Sequence, residues 1–187
     1  VVTPEIHARA MREVIRPTVA GMEKDGIPYT GFLYAGLMIS PDGSIKTLEF
    51  NCRMGDPETQ PILMRLKSDL VGLVEHAIEG TLDKAEAEWD RRVALGVVMA
   101  SANYPENPRT GDVITHLPEP MDDAQVFHAG TQLVDGKVTT SGGRVLCVTA
   151  LGETVKYAQS QAYQIAAGIQ FEGAQYRTDI GYRAVKG

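Results

Sequence analysis

Residues 47–60 read Thr-Leu-Glu-Phe-Asn-Cys-Arg-Met-Gly-Asp-Pro-Glu-Thr-Gln, and they contain most of the polar residues on which the predicted fold and site depend. They complete the second of two apolar runs, residues 31–39 and 44–50, which are joined by Ser-Pro-Asp-Gly. An Asp-Gly step between two such runs is a strong signal for a β-hairpin. The sequence therefore predicts two antiparallel strands in this region.

The second strand carries a pair of oxygen-bearing side chains. Because successive side chains of a strand point to opposite faces, Glu49 and Asn51 share one face, while Leu48 and Phe50 share the other. Mg²⁺ takes oxygen ligands and is usually held by one or two carboxylates together with phosphate oxygens. Glu49 and Asn51 therefore form a candidate metal site. The alternative is a solvated face of the sheet.

The residues that follow the strand form a second candidate site. Arg53 carries a rigid fork of donors that suits a carboxylate or a phosphate. Gly55 starts a turn into a helix, for which the sequence predicts Asp56 as the N-cap and Pro57 as the first helical residue. The alternative role for Arg53 is a local brace that pairs with Asp56 or Glu58.

These segments resemble a known family. Residues 29–38 and 48–60 resemble the glycinamide ribonucleotide synthetases, or phosphoribosylamine-glycine ligases, of the ATP-grasp superfamily. The resemblance continues through Ser-Asp-Leu at 68–70, His-Ala-Gly-Thr at 128–131 and Ser-Gly-Gly-Arg-Val-Leu at 141–146. It runs the whole length of this chain, although members of the family are more than twice as long. The chain is therefore expected to correspond to their C-terminal part.

The resemblance and the apolar patterning predict an α+β fold in two parts. Residues 1–88 are expected to be the C-terminal portion of an ATP-grasp catalytic domain, built from a helix, the antiparallel hairpin and a second helix. Residues 89–187 are expected to form a small, mostly antiparallel β domain with a helix. The predicted helices cover residues 3–26, 57–79 (with Asp69 inside, at the surface) and 154–171. The predicted strands of the second part cover residues 93–100, 112–117, 125–128, 130–134, 137–140, 144–150 and 176–180.

The resemblance implies an ATP-dependent ligase of de novo purine biosynthesis. Such an enzyme joins glycine and 5-phosphoribosylamine through a glycyl phosphate intermediate, giving glycinamide ribonucleotide, ADP and phosphate. ATP is then the co-substrate and Mg²⁺ or Mn²⁺ the cofactor, with Glu49 and Asn51 matching the family's metal ligands position by position. The wider superfamily often places an acidic ligand on the preceding strand, where this chain has Gly36, Leu37 and Met38.

The resemblance also assigns roles to Arg53 and the Gly55-Asp56-Pro57 turn. This segment is expected to bind substrate, facing the glycine and phosphoribosylamine sites. Arg53 would hold a carboxylate and Asp56 would orient an amine, so both are predicted as catalytic residues.

Ser141, Gly142, Gly143 and Arg144 form the remaining candidate substrate site. Two glycines let backbone amides approach an oxyanion closely, and the flanking serine and arginine add donors. The alternative is a plain hairpin turn. The resemblance favours a contact with the phosphate or ribose of the substrate.

Composition excludes several other classes of protein. Of the 187 residues, 43% are apolar and 22% charged, which is ordinary for a globular protein. The formal net charge of -6 and the absence of a basic run argue against nucleic acid or a membrane as partner. Two isolated cysteines, Cys52 and Cys147, favour a cytoplasmic location.

Two further hypotheses compete with the ligase. The chain alone is predicted not to turn over, because the N-terminal remainder that encloses adenine in the resembling enzymes would be its necessary partner. The first alternative is a non-catalytic module, derived from an ATP-grasp enzyme, that binds a nucleotide or a partner chain. The second is a metal-dependent hydrolase using Glu49, Asp56 and Glu58, which needs a further carboxylate or histidine nearby.

Overall fold

The structure is a computed structural model that describes residues 2–186. The chain forms two compact units, each assembled from two segments. The first comprises Val1–Gly55 and Asp69–Glu86, and the second comprises Asp56–Ser68 and Ala87–Gly187. Helices combined with antiparallel sheets confirm the predicted α+β class. The domain limits at residues 88 and 89 stay a prediction.

The first unit opens with a helix that contains one widened turn. α1 (Pro4–Ala10) is capped by Thr3, whose Oγ1 accepts a hydrogen bond of 3.3 Å from a backbone amide of the first turn. A π-helical turn, Met11–Ile15, leads into α2 (Arg16–Lys24). Pro17 has no N–H to donate to the preceding turn, so the regular α-helical pattern is interrupted before it. The predicted first helix is confirmed with this addition.

The predicted hairpin is present in the first unit. β1 (Tyr34–Ile39) pairs antiparallel with β2 (Ile45–Asn51). In the turn, the Gly43 amide donates to the Ser40 carbonyl at 2.9 Å, and Gly43 has a φ of +80°, which glycine adopts readily. Leu48 is an extra residue in β2, because the pairing shifts beside it.

The predicted helix over residues 57–79 is two helices. α3 (Thr59–Arg65) belongs to the second unit and α4 (Leu70–Ile78) to the first. Leu66 leaves helical geometry with a ψ of 121° and enters a short antiparallel bridge. Asp69 does not lie inside a helix, since its carboxylate caps α4 by accepting two backbone hydrogen bonds of 3.2 and 3.1 Å.

A three-stranded antiparallel sheet organises the second unit. Its order is β3-β7-β4, with β7 in the centre. The strands of this unit are β3 (Val93–Ala100), β4 (Ala124–His128), β5 (Thr131–Val134), β6 (Lys137–Thr140) and β7 (Arg144–Gly152). β5 and β6 form a separate hairpin. The sheet confirms most of the strands predicted for this half of the chain.

One helix covers the sheet and completes the core. α5 (Val155–Gly168) is capped by Thr154, whose side chain accepts a backbone hydrogen bond. It buries a stripe of alanines against β3 and β7, which lets helix and sheet approach closely. Within the described residues, no helix has the length and apolar character needed to cross a membrane. The fully buried members of the core include Val97, Met99, Val145, Val148, Ala158, Ala162 and Ala166.

Two predicted strands of the second unit are wrong. Residues 112–117 make only isolated bridges, through Val113 and Thr115. Residues 176–180 form no strand, because their backbone groups bond to side chains of α5 instead of to a neighbouring strand. The short helix α6 (Tyr182–Lys186) follows them.

Candidate functional site

The candidate metal pair lies near the end of β2, in the first unit. Glu49 pairs with Gly36 across the hairpin and Asn51 pairs with Tyr34, so the two side chains alternate onto one face as predicted. Glu49 is exposed and Asn51 is half-buried. The Asn51 Nδ2 atom is buried and has no hydrogen-bond partner among residues 2–186. An unpaired buried amide indicates a partner from outside these residues.

Gly36 lies directly opposite Glu49 in the hairpin and leaves room for its side chain. A side chain at residue 36 would place its Cβ 3.0 Å from the Cγ of Glu49, which is tighter than ordinary packing. An acidic residue there would therefore crowd Glu49 and repel its carboxylate. The described part of the chain contains no cluster of three His, Cys, Asp or Glu side chains suited to a metal. The hydrolase hypothesis thus lacks the additional ligand that it needs.

Arg53 and Gly55 also belong to the first unit. Arg53 is exposed, and its Nη1 donates to the neighbouring carbonyl of Met54 at 3.2 Å. Gly55 is buried. The predicted substrate roles of Arg53 and Gly55, and the alternative of a brace, stay predictions.

Asp56 and Arg144 meet in the second unit. Arg144 Nη1 donates to the Asp56 carbonyl oxygen at 2.7 Å and to its Oδ2 at 3.3 Å. Asp56 is therefore not the N-cap of α3, which starts only at Thr59, with Glu58 in the cap position. Pro57 likewise precedes the helix instead of starting it. The Asp56 turn is occupied by a contact with β7, which sequence spacing does not reveal.

Tyr104 holds the other side of the Arg144 guanidinium. Arg144 Nε donates to the Tyr104 hydroxyl oxygen at 3.0 Å. This hydrogen bond, with a smaller contribution from the Asp56 carboxylate, raises the pKa of Arg144 above its ordinary value. The guanidinium of Arg144, charged as in any arginine, is therefore held from two sides.

The glycines before Arg144 meet a packing requirement. A Cβ on Gly143 would lie 2.6 Å from the Cδ2 of Tyr104, so that ring needs a glycine beneath it. Gly142 approaches Gly130, whose own Cβ would lie 2.9 Å from the Gly142 nitrogen. Ser141 donates its amide to the Gly130 carbonyl at 2.7 Å. No hydrogen bond from the Gly142 or Gly143 amide is found within residues 2–186, which is compatible with the predicted contact to an anion.

A cavity of about 470 Å³ lies within the second unit. Of the predicted substrate residues, it brings together Asp56, Pro57 and Arg144. Its volume is in the range of small-molecule sites, which are mainly apolar with a few polar groups. The polar lining includes Asp56, Tyr104, Arg144, Gln175 and Arg177, and the apolar lining includes Val98 and Ile180.

The lining segment around Gln175 and Arg177 is held by distant side chains. Gln175 Nε2 donates to the Ser101 carbonyl at 2.9 Å, and the Tyr163 hydroxyl donates to the Arg177 carbonyl at 2.7 Å. Arg177 is paired with Asp179 at 2.7 Å. Sequence reasoning misses these cavity residues, because their apolar and aromatic pattern is typical of a strand.

Two family models match the sequence. The model described as phosphoribosylglycinamide synthetase, ATP-grasp (A) domain, matches residues 1–59. The model described as phosphoribosylglycinamide synthetase, C domain, matches residues 94–183. The first match contains Glu49 and Asn51, and the second contains Arg144.

Curated relatives match over the full chain. A phosphoribosylamine–glycine ligase of Ralstonia nicotianae is 66% identical over 186 residues, covering 100% of this chain and 44% of the relative. One of Xanthomonas campestris is 60% identical over 186 residues, covering 99% of this chain and 43% of the relative. The chain thus spans less than half the length of these relatives.

Solved structures agree with the fold. The phosphoribosylamine–glycine ligase of Thermotoga maritima superposes with a TM-score of 0.85 at 40% identity, covering 96% of this chain and 44% of that one. The biotin carboxylase domain of Hydrogenobacter thermophilus 2-oxoglutarate carboxylase, described in complex with MgADP, gives 0.62 at 15% identity. It covers 94% of this chain and 38% of that one, and it supports the fold alone.

Proposed function

Because this chain belongs to the phosphoribosylglycinamide synthetase family of the ATP-grasp superfamily, we propose that it is the C-terminal portion of a ligase joining glycine to 5-phosphoribosylamine. The products are glycinamide ribonucleotide, ADP and phosphate, in de novo purine biosynthesis. The observation that carries the proposal is the cavity shared by Asp56 and Arg144. These residues come from the two separate segments to which the resemblance assigns substrate binding.

In the proposed reaction the terminal phosphoryl group of ATP passes to a carboxylate oxygen of glycine, giving glycyl phosphate and ADP. The amine nitrogen of phosphoribosylamine then attacks the carbonyl carbon, the bond to the phosphate oxygen breaks, and the nitrogen loses a proton. Arg53, which is exposed, would hold the glycine carboxylate. Asp56 lines the cavity and would orient the attacking amine.

Glu49 and Asn51 would hold Mg²⁺, with Mn²⁺ as the alternative ion. When bound, the ion neutralises charge on the ATP phosphates during phosphoryl transfer. The residues fit it because Glu49 offers an exposed carboxylate on the same face of β2 as Asn51, whose side-chain carbonyl oxygen is a ligand of the type that Mg²⁺ accepts. Two protein ligands suit a site in which water and phosphate oxygens supply the rest.

Arg144 supports the predicted substrate role of residues 141–144. Its charged guanidinium lines the cavity, and the half-buried glycines of the turn directly precede it in the chain. Phosphate monoesters are recognised by such a combination of arginine and backbone amides. The proposed substrates are therefore small molecules. Separately, the two isolated cysteines predict a cytoplasmic location.

A non-catalytic module that binds a nucleotide or a partner chain is the second candidate. The observation that supports it is the cavity, in which Arg144 is held beside Asp56 and could bind an anion without any chemistry. A module of this kind would bind ligand without forming product. Retention of Glu49, Asn51, Arg53 and Asp56 together favours the ligase, because binding alone does not require this set.

The test uses the complete polypeptide that carries these residues, assayed with ATP, glycine and freshly made phosphoribosylamine. Formation of glycinamide ribonucleotide is expected, and Glu49→Gln should lower kcat/KM by about 100-fold or more. Glu75→Gln, on the exposed side of α4, is the matched control and should leave activity unchanged. ATP binding without any product would contradict the ligase and support the module.

A further inference from the structure

The Arg144 guanidinium is held through two of its three nitrogens. Its Nε donates to the Tyr104 hydroxyl at 3.0 Å, and its Nη1 donates to the Asp56 carbonyl at 2.7 Å. No hydrogen bond from Nη2 is found in the part of the chain that the structure describes. Because Arg144 lines the cavity, this nitrogen is the one left to donate to a ligand.

The Tyr104 hydroxyl keeps its own proton available. A hydroxyl offers one donor and two acceptor lone pairs, and here one lone pair accepts the Arg144 hydrogen bond. Within residues 2–186 no acceptor for the Tyr104 O–H is found. A neighbouring cation polarises a hydroxyl in a hydrogen-bonded chain and makes it a better donor. Tyr104 also lines the cavity.

Packing fixes the Tyr104 ring independently of Arg144. The ring lies so close to Gly143 that a Cβ there would approach within 2.6 Å. The Tyr104 amide donates to the Ser101 carbonyl at 3.3 Å, and its carbonyl accepts from Gln175 Nε2 at 3.2 Å. The hydroxyl is therefore placed by its surroundings, and Arg144 is oriented by the hydroxyl.

We propose that Tyr104 and Arg144 form a two-donor site for one anionic oxygen of the substrate. Tyr104 acts as a positioning residue for Arg144 and adds its own O–H, while Arg144 presents Nη2. This inference rests on the proposed function, whose two joined substrates carry two such groups between them, apart from the phosphates of ATP. They are the carboxylate of glycine and the phosphate of phosphoribosylamine, and both would be recognised by the same pair of donors.

The experiment compares Tyr104→Phe with the unaltered complete polypeptide in calorimetric titrations. Ribose 5-phosphate probes the phosphate and glycine probes the carboxylate, each titrated separately, with ATP as a third ligand. Loss of the hydroxyl should weaken binding of one of the first two probes by about 10-fold, because a hydrogen bond to a charged group is lost. Affinity for ATP should not change. Tyr157→Phe, an exposed tyrosine of α5, is the matched control.

The result identifies the source of the anionic oxygen. Weaker ribose 5-phosphate binding assigns the donors to the phosphate, and weaker glycine binding assigns them to the carboxylate. Unchanged affinity for both probes, or an equal loss for all three ligands with a lower unfolding midpoint, overturns the inference. If Tyr104→Phe weakens one probe but the polypeptide forms no product, the ligase fails and the two-donor site stands.

Discussion

Arg144 donates a hydrogen bond to the carbonyl oxygen of Asp56, 88 residues earlier in the chain, at 2.7 Å. The accompanying carboxylate contact is longer, at 3.3 Å, and both side chains are about half exposed. Exposed ion pairs contribute only about 0–1 kcal/mol to stability. The contact therefore matters for the position of the Asp56 turn at the cavity more than for the free energy of unfolding.

We expect Arg144→Lys to reduce activity with little loss of stability. An ammonium group cannot donate to Tyr104 and Asp56 in the same planar geometry, so substrate orientation is lost while the charge remains. In steady-state assays of the complete polypeptide, kcat/KM should fall by about 100-fold. Urea unfolding should change by no more than about 1 kcal/mol. Arg109→Lys is the control, and equal activity of the two variants would contradict a site role for Arg144.

Gly143→Ala should destabilise the second unit. The added Cβ would lie 2.6 Å from the Tyr104 ring and 3.1 Å from Pro108, so one of them must move. Overpacking of this kind costs about 1–3 kcal/mol, measurable by thermal or urea unfolding. Gly168→Ala, at the end of α5, adds a Cβ that meets no tertiary neighbour within 4 Å, so it should be neutral or slightly stabilising. Equal stability of the two variants would show that the turn relaxes freely.

Tyr163→Phe should loosen the cavity segment around residue 177. Its hydroxyl donates to the Arg177 carbonyl at 2.7 Å and accepts from the Ile180 amide at 3.0 Å. Removing it leaves two partly exposed backbone groups without this partner, at a net cost of about 0.5–1.5 kcal/mol. Amide hydrogen exchange at Ile180 should accelerate, whereas Tyr157→Phe should leave it unchanged. Unaltered exchange in both variants would mean that water replaces the hydroxyl fully.

The Asp90–Arg92 pair should make the free energy of unfolding depend on pH in the acid range. Hydrogen bonds from Arg92 to both carboxylate oxygens hold the pKa of Asp90 well below its usual range. A carboxyl with a lowered pKa in the folded state stabilises the fold above pH about 4, where it is ionised in both states. This contribution is lost progressively as the pH falls below that value. Acid should therefore lower the free energy of unfolding.

The measurement for this pair is urea unfolding between pH about 5 and pH about 2. Arg92→Gln should make the decline shallower, because the pKa of Asp90 then returns towards its unfolded value. Arg91→Gln removes a neighbouring exposed charge and should retain the original slope. Identical slopes for all three proteins would rule out the pair as a source of the acid dependence.

Local signals account for the parts of the fold that the sequence predicts. The hairpin follows from the Asp42-Gly43 turn, and α5 follows from its cap at Thr154. The break between α3 and α4 does not follow from periodicity, because apolar residues continue through Leu66 and Leu70. Its local signal is the capping residue Asp69.

Long-range contacts account for what the sequence cannot predict. Residues 176–180 have a strand-like composition, but their backbone carbonyls accept hydrogen bonds from Gln159 and Tyr163 of α5. For the candidate site, alternation places Glu49 and Asn51 on one face of β2, as the structure confirms. The partnership of Tyr104 with Arg144 depends on packing between residues 40 positions apart, which no local pattern encodes.

The two units alternate along the chain, which affects how they can be inherited. Helix α3, in Asp56–Ser68, packs on β3 and β7, which are encoded beyond the intervening segment Asp69–Glu86 of the other unit. A recombination event at any single point in that intervening segment would separate α3 from its own sheet. Substitutions in α3 must therefore remain compatible with β3 and β7, which are encoded well downstream. We expect α3 and these two strands to co-evolve.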